Sequence, residues 1–197
     1  MAETAFHSRS PLGGHAQSFG PVRLSEVEPL GVVALAIPLG GEAALGEAVR
    51  AAWGIALPAP GFSETGADGL RLVRSAPDQL LALVESAQGG RPALHRILAG
   101  ELNETALATE QTDAWVALRL AGEGAVLREC LARIITLDLH PDAFAVGSAV
   151  RTRMEHLAGL VIREEGDGAS DSFLLLSARS SALSFLHAVE TSIVNVI

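Results

Sequence analysis

The sequence predicts an α+β protein made of two similar halves packed on each other, each reading strand, helix, strand, strand, helix. Three observations carry this. Runs with strand periodicity give way to runs with helix periodicity twice along the chain. The second set repeats the first at an offset of about 83 residues: Val33-Ala34-Leu35 answers to Val116-Ala117-Leu118, and Ile55-x-Leu57 to Phe62 answers to Leu137-x-Leu139 to Phe144. Finally, an apolar content of 49% over 197 residues is ample for a core. One half cannot cover both faces of its own sheet, so the two halves pair.

Residues 1–24 are rich in Ser, Gly, Pro and His and lack periodicity, which reads as an extended arm with Arg9, Pro11 and Leu12 as docking points. The first half spans 25–103. Within it, 31–37 is an aliphatic, β-branched run suited to a buried strand, and 42–53 is a helix with Ala44, Leu45, Ala48 and Ala52 at helical spacing. Pro58, Pro60 and Gly61 close that helix off; 70–73 and 80–84 are short strands, and 92–99 is a short helix. The second half spans 104–197. Segments 105–111 and 115–120 read as strands joined in a hairpin at Thr112-Asp113. Segment 125–135 is an amphipathic helix with Leu127, Cys130, Leu131 and Ile134 on its apolar side, and Arg128, Glu129 and Arg133 facing away. Pro141 marks where this helix hands the chain to a sheet, since proline disfavours helical geometry at His140. Strands follow around 149–156, 160–163 and 173–176, with Glu165 to Gly168 as the turn between the last two. The chain closes with 180–193, a helix opened by serine that carries Leu183, Leu186, Val189 and Ile193 inward.

The formal net charge of −9 argues against a nucleic-acid partner, which needs clustered positive charge. All fourteen basic residues are arginine, so neither Schiff-base chemistry nor a phosphate-loop lysine is available. Cys130 is the single cysteine, which excludes an internal disulfide and a cysteine zinc cage, and a reducing, cytoplasmic setting is the expectation. Met1 to His7 lack the apolar core of a secretory signal. The longest apolar run, 29–41, is broken by Pro38 and falls short of the roughly twenty residues that cross a bilayer, so no membrane association is expected.

The six histidines, His7, His15, His95, His140, His156 and His187, offer no pair at helical metal spacing. Asp138, His140 and Asp142 alternate, which suits either three donors on one side of an extended segment or a hydrogen-bonded turn. Gly13-Gly14, Gly40-Gly41 and Gly89-Gly90 lack the dinucleotide-binding order, and no G-x-S-x-G elbow occurs. Cys130 reads as a small buried hydrophobe rather than a nucleophile, since no local spacing sets a base beside it. Arg151 and Arg179 remain, each beside the end of an apolar element. A guanidinium there serves an ion pair of its own fold, an acid of a partner subunit, or a carboxylate ligand.

Several strings taken together resemble the gamma subunit of heterotetrameric sarcosine oxidase. They are Leu137-Asp138-Leu139-His140-Pro141-Asp142-Ala143-Phe144, then Gly147, Arg151-Thr152 and Arg179-Ser180-x-Ala182-x-Ser184, with Arg9-Ser10-Pro11-Leu12 near the start and Ala76-Pro77-Asp78-Gln79-Leu80-Leu81 in mid-chain. The likeness spans nearly the whole chain. It departs at Ala145, Ser181 and Leu186, where the pattern leads one to expect proline, an aromatic residue and tryptophan. The resemblance implies a fold similar to the folate-binding fold of aminomethyltransferases. It implies a non-catalytic structural subunit of a flavoenzyme that oxidatively demethylates sarcosine to glycine and passes the one-carbon unit to tetrahydrofolate or releases formaldehyde. Partner alpha, beta and delta subunits would carry the FAD, FMN, NAD, zinc and tetrahydrofolate, leaving no catalytic, cofactor or metal site here and subunit contacts through Arg9, Pro11, Leu12, Arg151 and Arg179. The alternative is a stand-alone folate-binding module of aminomethyltransferase type.

Overall fold

Segments 30–36, 80–84 and 173–176 are apolar at every position, and a strand is apolar on both faces only where both faces are covered. The structure, a computed structural model, describes residues 9–85, 91–167 and 170–197. In chain order the elements are β1 (Ala16–Phe19), β2 (Val22–Glu26), β3 (Leu30–Ala36), α1 (Glu42–Trp53), β4 (Ser63–Thr65), β5 (Arg71–Ala76), β6 (Gln79–Glu85), α2 (Arg91–Glu101), β7 (Leu107–Glu110), β8 (Trp115–Glu123), α3 (Gly124–Ala132), β9 (Ala149–Met154), β10 (Leu157–Glu164), β11 (Ser170–Ala178) and α4 (Ala182–Val194). They form two antiparallel sheets, one ordered β1-β2-β8-β11-β10-β9 and the other β4-β5-β6-β3-β7.

The sheets pack face to face between two pairs of helices. Alternation along each strand divides its side chains between two cores. Val32, Leu81 and Leu83 of the smaller sheet meet Leu160, Ile162, Leu174 and Leu176 of the larger. Their neighbours in sequence point outward: Val33, Leu35 and Leu80 lie under Leu45 and Val49 of α1, Leu98 of α2 and Leu102 just after it. Leu118, Val161, Phe173 and Leu175 lie under Leu127 and Leu131 of α3 and Phe185, Val189 and Ile193 of α4. The α+β architecture of two similar halves is therefore present, each half running strand, helix, three strands, helix. The additional strand of the first half, β4, is only three residues long, and too short a stretch carries no readable period.

The halves also exchange a strand. β2 joins β8 in the second half's sheet, with Leu24 opposite Leu120, and β7 joins β3 in the first half's sheet, with Thr109 opposite Ala34. Boundaries at residues 24 and 103 therefore cut across the sheets, and 16–24 is not a bare arm: Val22 and Leu24 alternate inward and are buried. The expected hairpin of 105–111 with 115–120 does not form either. Thr112 accepts a hydrogen bond from Val32 N–H at 2.9 Å, which anchors the chain to β3 as it crosses from one sheet to the other.

Three smaller expectations also change. The helix expected over 125–135 ends at Ala132; Ile134 and Ile135 follow in a turn and stay buried, Ile135 bridging Met154. On α4 the buried stripe is Ala182, Phe185, Ala188, Val189, Ser192 and Ile193, while Leu183 is 74% exposed and Ser181 makes no side-chain cap bond. On α1 the buried side chains are Leu45 and Val49. His7, Gly89-Gly90 and Gly168 lie outside the described residues.

Candidate functional site

Arginine stands beside buried apolar residues in three strands, at Arg74 in β5, Arg119 in β8 and Arg163 in β10. A cation held out of water must find opposite charge or carbonyl oxygens. Each of the three does, and two of them line a cleft of about 900 Å³ at one end of the space between the sheets.

In that cleft Arg119 stands between two glutamates, with Nε donating to Glu164 Oε2 at 2.7 Å and Nη2 to Glu85 Oε1 at 2.5 Å. Arg71 Nη1 lies 2.8 Å from Glu164 Oε1, and Ser172 Oγ donates to Glu164 Oε2 at 3.1 Å. Arg71 and Glu85 come from the smaller sheet, and Arg119, Glu164 and Ser172 from the larger, so the network is an ionic lock between the sheets. Burial alone would raise the Glu164 carboxyl, but its bond from Arg119 and the charges of Arg71 and Arg119 hold it below the usual carboxylate range. Burial likewise disfavours charge on Arg119, and its bonds to Glu85 and Glu164 overcome this and keep it protonated.

A second cluster lies beside the first. Arg163 donates through Nη1 to Phe144 O at 2.7 Å and through Nη2 to Asp171 Oδ1 at 2.9 Å, while Asp171 Oδ2 takes a short bond from Arg128 of α3. Burial pushes the Asp171 carboxyl up, and the two guanidiniums outweigh this and leave it low. Arg74 is the counterpart in the first half. Its Nη1 meets Pro58 O at 3.3 Å and Glu42 Oε1 at 2.7 Å, and its Nε and Nη2 meet Pro77 O.

The correspondence extends to the backbone. Gly61 N–H donates to Arg74 O as Gly147 N–H donates to Arg163 O, both at 2.9 Å, and the two segments cross-link: Ser63 N–H to Gly147 O at 2.7 Å, Ala149 N–H to Gly61 O at 2.8 Å. Gly61 and Gly147 have φ of +87° and +88°, a region that favours glycine. Pro58 thus answers to Phe144 and Phe62 to Ser148, so the repeat's register here differs from the expected pairing of Phe62 with Phe144.

The Asp138–Asp142 stretch is the hydrogen-bonded turn of the two readings. His140 N–H donates to Asp138 Oδ1 at 2.9 Å, and the His140 and Asp142 side chains are exposed. Leu139 and Phe144 are buried on either side of it. Among the described residues no three metal-ligating side chains cluster. Cys130 is buried, and burial followed by the charge of Glu129 pushes its thiol up, which disfavours the thiolate a nucleophile needs.

The expected contact residues are dispersed. Arg179 and Arg9 do meet, through Arg179 Nη2 and Arg9 O at 2.6 Å, and Arg179 also lies 3.9 Å from Asp113. Leu12 packs on the core beside α3 and α4, and Ser10 Oγ, Leu12 N–H and Gly14 N–H converge on the Glu26 carboxylate around Pro11. Arg151 stands apart on β9, exposed. Sequence reasoning missed Arg74, Arg119, Arg163, Glu164 and Asp171. The available signal was an arginine within an apolar strand, which requires an internal acid or carbonyl.

Comparison with known proteins adds identity to this geometry. Residues 39–192 match the family described as sarcosine oxidase, gamma subunit. Among solved structures, a heterotetrameric sarcosine oxidase from Corynebacterium sp. U-96 in complex with pyrrole 2-carboxylate is similar, with a TM-score of 0.72 and 26% identity over 88% of this chain and 84% of that chain. No curated protein matches in sequence. Among the described residues no helix is long and apolar enough to cross a membrane.

Proposed function

Because this chain belongs to the sarcosine oxidase gamma subunit family, we propose that it is the non-catalytic, structural subunit of a cytoplasmic heterotetrameric sarcosine oxidase. That assembly oxidatively demethylates sarcosine to glycine and passes the one-carbon unit to tetrahydrofolate or releases it as formaldehyde. The alpha, beta and delta subunits hold FAD, FMN, NAD, zinc and tetrahydrofolate. Support for a structural role comes from the cleft between the sheets. Arg71, Arg119 and Glu164 are committed to one another, as are Arg128, Arg163 and Asp171, and charges matched in this way brace a fold.

Coexpression of the four chains tests this. Omitting this chain should lower the yield and thermal stability of the assembly. A Glu164→Gln variant should lower Tm while turnover per assembled complex stays within about twofold of wild type. A fall of about a hundredfold in turnover at unchanged Tm, the size of an acid–base contribution, would instead make Glu164 catalytic.

A further inference from the structure

β9 is the outer strand of the six-stranded sheet. Arg163 N–H bonds Ser148 O, and the register with β10 then turns the backbone groups of Val150 and Thr152 inward and those of Ala149, Arg151 and Arg153 outward. The chain itself closes this outer edge at both ends. Ala149 N–H donates to Gly61 O, Glu155 N–H donates to Ile134 O at 2.7 Å, and Ile135 bridges Met154. Between these closures the N–H groups of Arg151 and Arg153 and the carbonyl of Arg151 meet no partner among the described residues.

Charge concentrates at the same gap. Arg71, Arg74, Arg119, Arg128, Arg163 and Arg179 all have acids within ion-pair reach, whereas Arg133, Arg151 and Arg153 have none among the described residues. In a chain of net charge −9, three guanidiniums with no acid in ion-pair reach among the described residues form a local field of opposite sign along one edge. Two clefts flank them. Arg151 lines one of about 350 Å³ with Trp115, Ala158 and Ala178, which Glu110 also reaches. Arg133 and Arg153 line another of about 410 Å³ with Ile134 and Ile135, where Glu155 is the acid on the wall.

Edge arginines by themselves guard a sheet against pairing with its own copies. Unpaired main-chain groups between two clefts, with cations on both, are also what an added strand uses: backbone bonds supply affinity, and alternate side chains enter the pockets. We infer that the β9 edge receives an extended, acidic segment of another subunit of the oxidase as an added strand. The inference rests on the subunit reading above.

The test uses the full chain and its coexpressed partners. Arg151→Glu with Arg153→Glu should weaken association by about tenfold or more at low salt, because close opposite charges become like charges. Its Tm should be unchanged, since neither arginine makes an internal ion pair. Arg50→Glu with Arg96→Glu, a reversal of two other arginines that have no acid in ion-pair reach among the described residues, should leave association intact. Hydrogen exchange should show the Arg151 and Arg153 amides protected on assembly of the wild type. Unchanged association of the β9 variant, or association without protection of those amides, would overturn the added strand while leaving the subunit reading in place. Loss of self-association in the isolated variant, with partner binding intact, would assign the edge to a second copy and overturn it as well. A wild-type chain that binds none of the other subunits would defeat the subunit reading itself.

Discussion

Arg74 and Arg163 occupy equivalent places in the two halves, yet the acids that neutralise them come from unrelated elements. Arg74 reaches Pro58 O and then Glu42 in the first turn of α1, whose side chain is 63% exposed. Arg163 reaches Phe144 O and then Asp171 of β11, whose side chain is 16% exposed and shared with Arg128. The guanidinium-to-carbonyl bond that fixes the loop ahead of the glycine is common to both, and the depth of the counter-charge is not. The clamp on the loop is therefore what the fold requires. The ion pair is a local solution whose value rises as water is excluded from it.

The largest effect expected from this contrast is at Asp171. Asp171→Ala leaves Arg128 and Arg163 without their acid and should cost about 2 kcal/mol, less than a fully buried pair because the side chain keeps some contact with water. Denaturant midpoints with an unchanged slope would measure it. Next come the paired glycines. Alanine is strained at either left-handed position by about 1 kcal/mol, but a Cβ at Gly147 would lie 3.3 Å from Ser63 O, whereas one at Gly61 meets nothing within 4 Å. Gly147→Ala should therefore melt below Gly61→Ala, and equal melting temperatures would mean that the crossing of the two segments tolerates more than this geometry allows.

The smallest effect is Glu42→Ala, which should barely move the midpoint, because Glu42 is exposed to water and the buried Arg74 guanidinium keeps its bonds to Pro58 O and Pro77 O. A cost equal to that of Asp171→Ala would break the comparison. Acid sharpens it. Asp171 has a folded pKa below its ordinary 3.8, so its contribution is fully present above about pH 4 and drains away as pH falls through the lower folded value. Glu164, held low by Arg119 and Arg71, acts in the same direction. Stability should therefore fall steeply below about pH 4, and Asp171→Asn should flatten that fall when midpoints are followed from neutral pH downward.

What the sequence by itself determined is what short-range pattern encodes. Apolar runs over 31–37, 80–84 and 173–176 became buried strands, and 3.6-residue spacing placed Leu127, Cys130 and Leu131 on the inner side of α3. The alternation of Asp138, His140 and Asp142 around Pro141 became a turn, and the repeat was legible because both halves need the same order of periods. Which strand lies beside which was decided only in three dimensions. Residues 105–111 and 115–120 have the local form of a hairpin, but β7 pairs with β3, and β8 lies between β2 and β11 in the other sheet. The acids of Arg119 and Arg128 were hidden for the same reason. Glu164 and Asp171 are distant in sequence from the arginines Arg119 and Arg128 that they bind, and no periodicity within one element reports a charge brought in from another strand or helix.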